Sequence, residues 1–253
     1  MWRVTLKGIA AKKIRVLLTS VAVVLGVAFM TGTLVLSDTI NRTFDGLAVQ
    51  ITSGTAAKVR ATASFKANGE QQRKPIDPSL IPIVAKITGV EAAEGSVAGL
   101  AFIVTPKGKA LNAGNGPPAI GVSWPLDRKL NPGHVVAGRA PRSASEIVID
   151  KASADKAHVR VGSKVRVVTV ATKGTSAVYT LAGIVKFGSA DSLLGATFTA
   201  FTLPTAERLL GTPGKIDEID IAAMPGVSQA EVVRNVRAAL QGRSGLEVIS
   251  GQA

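Results

Sequence analysis

From Val16 to Leu36 the chain reads VLLTSVAVVLGVAFMTGTLVL, 21 residues in a stretch that carries no charge between Arg15 and Asp38. At 1.5 Å per residue a helix of that length reaches roughly 31 Å, which matches a bilayer hydrocarbon core of about 30 Å. Twelve of the 21 are Leu, Val or Phe, and their insertion energies sum to about −5 kcal/mol as an upper bound. Thr19, Ser20, Thr31 and Thr33 reduce this without reversing it, because their hydroxyls can bond back to helix carbonyls. The expectation is one transmembrane helix over residues 16–36. A cleaved signal peptide would have a shorter apolar region, about 7–15 residues, ending at a small-residue site. Here the apolar run instead continues into Leu34-Val35-Leu36-Ser37-Asp38.

Charge placement orients the helix. Arg3, Lys7, Lys12, Lys13 and Arg15 precede it with no acid among them, while Arg42 alone follows closely, beside Asp38 and Asp45. Positive residues stay on the cytoplasmic side, so residues 1–15 are read as a cytoplasmic leader at the plasma or inner membrane. Residues 38–253 then lie outside the cytoplasm. Trp2, Leu6 and Ile9 share one face of the leader, as in a short helix at the lipid surface. Ala22 and Gly26, then Ala28 and Gly32, are small residues four apart that would let a partner helix approach closely. Their abundance in membrane helices generally is the other explanation. Leu36, Ile40, Phe44 and Leu47 keep an apolar stripe, with Asp38 four before Arg42, which continues the helix as a stalk over 37–54.

The remainder predicts an α+β domain. Strand-like runs are Ala57–Phe65, Val97–Thr105, Ala119–Trp124, Thr197–Leu203, Asp217–Ala223 and Leu246–Ile249, with helices at Leu80–Ile87, Pro204–Leu210 and Gln229–Leu240. Residues 66–75 (KANGEQQRKP) read as a polar loop, and Ser228 with Glu231 forms a capping-box pattern. Between residues 125 and 195 the texture turns β-rich. Glu146–Asp150 is a short strand, and Val159–Thr172 faces Tyr179–Val185 across Lys173-Gly174-Thr175-Ser176. The expected organisation is an α/β platform formed by 55–124 and 196–253, split by an inserted β-rich lobe at 125–195.

Little in the sequence suggests catalysis. With no Cys there are no disulfides, thiolate ligands or cysteine nucleophiles. His134 and His158 are isolated, and neither a Walker A motif nor a G-x-S-x-G elbow occurs. Ser153-Ala154-Asp155-Lys156 matches a bare S-x-x-K pattern but lacks its partner motifs, and reads as a solvated helical turn. Asp217, Glu218 and Asp220 alternate with Ile219 and Ile221, which makes Glu218 and Asp220 the wet face of a strand rather than calcium ligands. The net charge of +13 is spread along a chain with few aromatics, so nucleic acid is not an expected partner. Neither a cofactor nor a metal is expected, and the chain is read as a non-enzyme.

The segment TLKGIAAKKIRVLLTSVAVVLGVAFMTGTLVLSDTINRTF, then Gly138-Arg139-Ala140-Pro141 followed by Glu146-Ile147-Val148-Ile149-Asp150, Val161-Gly162-Ser163-Lys164-Val165 and Ala206-Glu207-Arg208-Leu209-Leu210, occur in an order that resembles the MacB/FtsX-type permeases of ABC transporters. The resemblance implies a porter-like α/β extracytoplasmic domain with an inserted small lobe, and a relay of ATP-driven motion to that domain for export or partner activation. It also implies a cytoplasmic ABC ATPase and a second permease subunit as partners, and no catalytic residue in the permease itself. Such permeases carry a second membrane helix after the final strand, so the chain is read as an amino-terminal fragment. The alternative is a single-pass sensor or adhesion protein with a ligand-binding α/β ectodomain.

Overall fold

The computed structural model describes residues 17–18, 21–31, 54–67, 70–112 and 117–251. Two compact units are present, Met1–Gly46 and Leu47–Ala253. In the first, residues 17–18 and 21–31 are helical, and Leu17, Leu18, Val23, Val24, Leu25, Val27, Phe29 and Met30 are exposed. Among the described residues no helix is long and apolar enough to cross a membrane. The rest of the predicted span, the leader over 1–15 and the stalk up to residue 53 lie outside the described residues.

The second unit begins with β1 (Ala57–Ala61), the hairpin β2 (Ala63–Ala67) and β3 (Glu70–Arg73), and a 3-10 turn at Pro78–Leu80 that runs into α1 (Ile81–Val84). Asp77 caps that turn by accepting from the Ser79 N–H at 2.9 Å. The predicted helix to Ile87 is therefore shorter than expected. The loop expected at 66–75 contains β3 instead, antiparallel to β2.

After β4 (Val90–Ser96) the chain leaves this layer, and it returns at β12 (Glu218–Ala223), followed by α4 (Gln229–Ala239) and β13 (Leu246–Ser250). The four strands pair antiparallel in the order β13-β1-β12-β4, a split βαβ arrangement. Its register follows from period-two alternation. Val59, Ile219, Ile221 and Val248 are buried in one core with Val84 of α1 and Val232, Val236 and Leu240 of the α4 segment. Lys58, Arg60, Glu218, Asp220 and Glu247 take the opposite face. That face is not the wet one expected. Lys58 Nζ lies 2.5 Å from Glu218 and 3.3 Å from Asp220, while Arg60 and Arg73 lie 2.6 and 2.5 Å from Glu247, all of them half-buried. Burial opposes the charge on Lys58, but the Asp220 and Glu218 carboxylates outweigh it and raise its pKa. Burial also raises the pKa of Asp220, against the pull of Lys58.

Between β4 and β12 lies a second sheet made of β5 (Ala98–Val104), β6 (Ala119–Ser123), β7 (His134–Gly138), β8 (Glu146–Asp150), β9 (Lys164–Thr169), β10 (Ala177–Lys186) and β11 (Thr197–Phe201). Its order is β7-β10-β8-β11-β6-β5-β9, and β9 pairs again with β10, so six strands close into a small barrel with β7 attached outside. Closure removes the unpaired edges that six open strands would present. The ten residues of β10 make it possible, since one edge pairs first with β9 at residues 177–180 and then with β7 at 183–186 while the other holds β8. At the crossing between β7 and β10 only glycine fits. A Cβ on Gly183 would come within 2.3 Å of the Arg139 carbonyl oxygen, and Gly138 has φ +75°.

β5, β6 and β11 belong to this barrel, so the interruption of the four-stranded sheet runs from Ala98 to Phe201 rather than over 125–195. Alternation identifies those segments as strands but does not say which sheet they join. Two short helices complete the unit, α2 (Lys151–Ala157) after β8 and α3 (Leu203–Leu209) after β11. Asp150 is fully buried and accepts from the Ser153 N–H at 2.9 Å, capping α2, and from the Phe198 N–H at 2.8 Å, which ties β8 to β11. Burial raises its pKa against these bonds.

The two sheets are stitched together where the chain leaves one and returns to it. Asp217 donates its N–H to the Ser96 carbonyl and accepts the Ala98 N–H on Oδ2, both at 2.9 Å. Val97 between them is fully buried, and its N–H donates to Ser123 Oγ at 3.1 Å. Replacing Asp217 by Ala leaves the Ala98 N–H without its partner. The expected cost is about 1–2 kcal/mol, read as a lower urea midpoint with an unchanged slope.

Candidate functional site

An apolar cleft of about 530 Å³ lies along the seam between the two sheets. The four-stranded layer contributes Ile81 from the start of α1 and Ala93, Glu94 and Gly95 from β4. From the barrel come Trp124 and Leu126 just after β6, Pro141 and Arg142 from the β7–β8 loop, and Thr202, Leu203 and Pro204 at the start of α3. Glycine at position 95 keeps this side open, since a Cβ there would already lie 3.0–3.1 Å from Ile216 and Ile81.

Two carboxylates hold the walls in place. Glu94 spends both oxygens on backbone, accepting the Leu126 N–H on Oε2 and the Asp127 N–H on Oε1, each at 2.8 Å. The segment carrying Trp124 and Leu126 is thereby tied to β4. Glu146, at the start of β8, receives a two-pronged bond from Arg139 at 2.9 and 2.5 Å and the Arg142 N–H at 2.8 Å. Such forked pairs fix orientation as well as distance. The Gly138-Arg139-Ala140-Pro141 and Glu146–Asp150 segments singled out in the sequence are thus two halves of one clamp, which sets Pro141 and Arg142 at the cleft.

Around the cleft the burial is uneven. Trp124 is 8% exposed and packs with Val148, Val185, Phe187, Phe198 and Ala200 in a second, smaller core. Leu126, by contrast, is 85% exposed. An isolated leucine on a surface needs no explanation, but here it borders an apolar hollow. Sequence reasoning did not find this site, because its lining comes from five separated segments. The one available signal was Arg142, four residues before Glu146 in the motif.

The residues the sequence put forward are placed differently. Ala22, Gly26 and Ala28 lie on the described helix and are exposed, and a Cβ added at Gly26 would meet nothing within 4 Å. Gly32, together with Arg3, Lys7, Lys12, Lys13 and Arg15, lies outside the described residues. Ser153 lies on the buried face of α2 whereas Lys156 is exposed, so the S-x-x-K pattern makes no dyad. His134 is an exposed residue of β7, and His158, with φ 54°, ends α2. Among the described residues no group of three His, Asp or Glu side chains could hold a metal.

A split βαβ layer interrupted by a closed barrel, with a cleft where the two meet, defines a two-lobed core domain. Residues 16–239 match the MacB-like periplasmic core domain, and the chain belongs to that family, that of the MacB/FtsX-type ABC transporter permeases. Two solved structures agree in fold. The periplasmic region of MacB from Actinobacillus actinomycetemcomitans is 11% identical with a TM-score of 0.53, over 78% of this chain and 90% of that one. The extracellular domain of the noncanonic ABC-type transporter YknZ from Gram-positive bacteria is 11% identical with a TM-score of 0.50, over 76% and 98%. A domain of a putative permease from Porphyromonas gingivalis is 15% identical with a TM-score of 0.46, over 77% and 86%. No curated protein matches the chain.

The clamp has a measurable pH signature. The Arg139 guanidinium, joined by the Arg142 N–H, holds Glu146 down to about 2 from an ordinary 4.5. A depressed carboxylate stabilises the fold fully above its unfolded value and loses that contribution as pH falls through the folded one. Acid titration of stability should therefore show a decline between about pH 4.5 and 2 that Glu146→Gln flattens. An identical acid limb in the variant would show that the clamp does not hold the loop.

Proposed function

We propose that this chain is part of a permease subunit of an ABC transporter of the MacB/FtsX type. It is anchored by the helix over 16–36 with its basic leader in the cytoplasm, and it presents residues 38–253 outside the plasma or inner membrane. The carrying observation is the family match over residues 16–239, which takes in both the apolar stretch and the two-lobed domain. The charge asymmetry around the span supports the same orientation, since Arg3, Lys7, Lys12, Lys13 and Arg15 all precede it.

In this reading the domain performs no chemistry. A cytoplasmic ATPase and a second permease subunit bind the membrane part, and ATP-driven helix movement is relayed to the outer domain for export or activation of a partner. The pairs Ala22 with Gly26 and Ala28 with Gly32 are the small-residue contacts offered to a neighbouring helix. Such a relay needs an outer domain that moves as units rather than flexing residue by residue, and the stitched seam at Asp217 and the clamp at Glu146 meet that need.

Topology is the direct test. Alkaline phosphatase fused after Ala253 should be active, and a green fluorescent protein fused at the same point should stay dark in cells. The protein should also remain in membranes washed with alkaline carbonate. Bright cytoplasmic fluorescence, or release by the wash, would overturn the anchored orientation.

A further inference from the structure

We infer that the seam cleft is a binding site for a small amphipathic acid, with a compact hydrocarbon body against its apolar walls and one anionic head at Arg142. Its volume of about 530 Å³ lies in the range of small-molecule sites, roughly 300–1,000 Å³. Ile81, Ala93, Trp124, Leu126, Leu203 and Pro204 give it an apolar lining that water wets poorly.

The charge of the ligand follows from which polar groups are already occupied. Glu94 and Arg142 are the two ionisable side chains in the lining. Both oxygens of Glu94 accept backbone N–H groups, so Glu94 is committed to structure and has no need of a cation. Arg142 uses its backbone N–H on Glu146, and its guanidinium has no carboxylate partner among the described residues. It carries five donors in a planar fork suited to a carboxylate or similar oxyanion. One unused guanidinium and no unused carboxylate in the lining make an acidic head the complementary one. Residues 38–253 carry 25 Lys+Arg against 17 Asp+Glu, and this positive balance favours the approach of an anion over that of a cation.

Occupancy would also have a mechanical effect. The lining comes from both sheets, so a ligand seated there bridges β4 with the β7–β8 loop and the start of α3. Binding depends on the cleft alone and does not require the transport reading to hold.

The test uses the full chain in lipid nanodiscs with Trp2→Phe, which leaves Trp124 as the sole tryptophan. Octanoate is titrated against Trp124 fluorescence, with octylammonium as the probe of equal chain length and opposite charge, and empty nanodiscs give the partition background. Octanoate should produce a saturable change, and octylammonium should bind about tenfold more weakly or not at all. Arg142→Gln should weaken octanoate about tenfold and erase the preference between the two heads. Leu126→Ala, at a side chain exposed enough to spare the fold, should weaken both probes alike. No saturation with octanoate overturns the site, while equal binding of both probes, or an Arg142→Gln variant that binds octanoate as before, overturns the assignment of the head group.

Discussion

The hydrogen bonds around Asp217 make the architecture possible. A sheet whose order is β13-β1-β12-β4 needs β4 and β12 side by side, yet more than a hundred residues intervene between Ser96 and Glu218. Such an interruption is tolerated when its ends emerge together, since otherwise the sheet would have to bear the entropy of closing a long loop. Asp217 meets this condition locally by binding Ser96 and Ala98 at once, and the bridge between Ile76 and Ile216 adds a second fastening. Burial raises the pKa of Asp217 in spite of the Ala98 bond. The carboxylate is therefore kept at the seam at some electrostatic cost, for the connection it makes.

Barrel closure is the other half of the same solution. An inserted open sheet would expose unpaired edges and would lean on its host for cover. Here β10 is long enough to meet β9 and β7 in turn along one edge, so the insertion satisfies its own backbone. It then touches the four-stranded layer through packed side chains. Ile103, Ile147, Val165, Leu181 and Phe201 belong to one core with Val59, Ile219 and Val232. Two layers joined by one core and by the ties at Asp217 and Glu94 leave a hollow where their surfaces diverge, and that is where the cleft lies.

Much of this was legible in the sequence wherever burial imposes a period. The strand at Glu146–Asp150, the hairpin turn at Lys173 and Gly174, and the helix after Ser228 were all read correctly from spacing. The reasons are visible in the structure. Lys173 and Gly174 adopt φ of 47° and 82°, and Ser228 Oγ accepts from the Glu231 N–H at 3.2 Å. β4 and β7 were missed because their residues argue against strands. VEAAEGS is rich in helix formers, and its Glu94 is committed to the loop after β6. HVVAG lies outside the barrel with its side chains largely exposed, and its glycine answers a steric demand from β10 that no local pattern reveals. Sheet membership was equally invisible, since β6 and β11 alternate in the same way in either sheet.

The site was the least legible part because it is made of leftovers from other tasks. Trp124 is placed by a second core, Leu126 by Glu94, Arg142 by Glu146 and Leu203 by the start of α3. None of these residues announces a function alone, and no two of their segments are joined by a spacing rule. What marks the cleft is an imbalance that appears only in three dimensions. Every carboxylate near it is consumed by the scaffold, while one guanidinium is left over beside an apolar hollow. A fold that fixes its seam with acids and leaves a base unused at the opening has already selected, by exclusion, the charge of whatever enters.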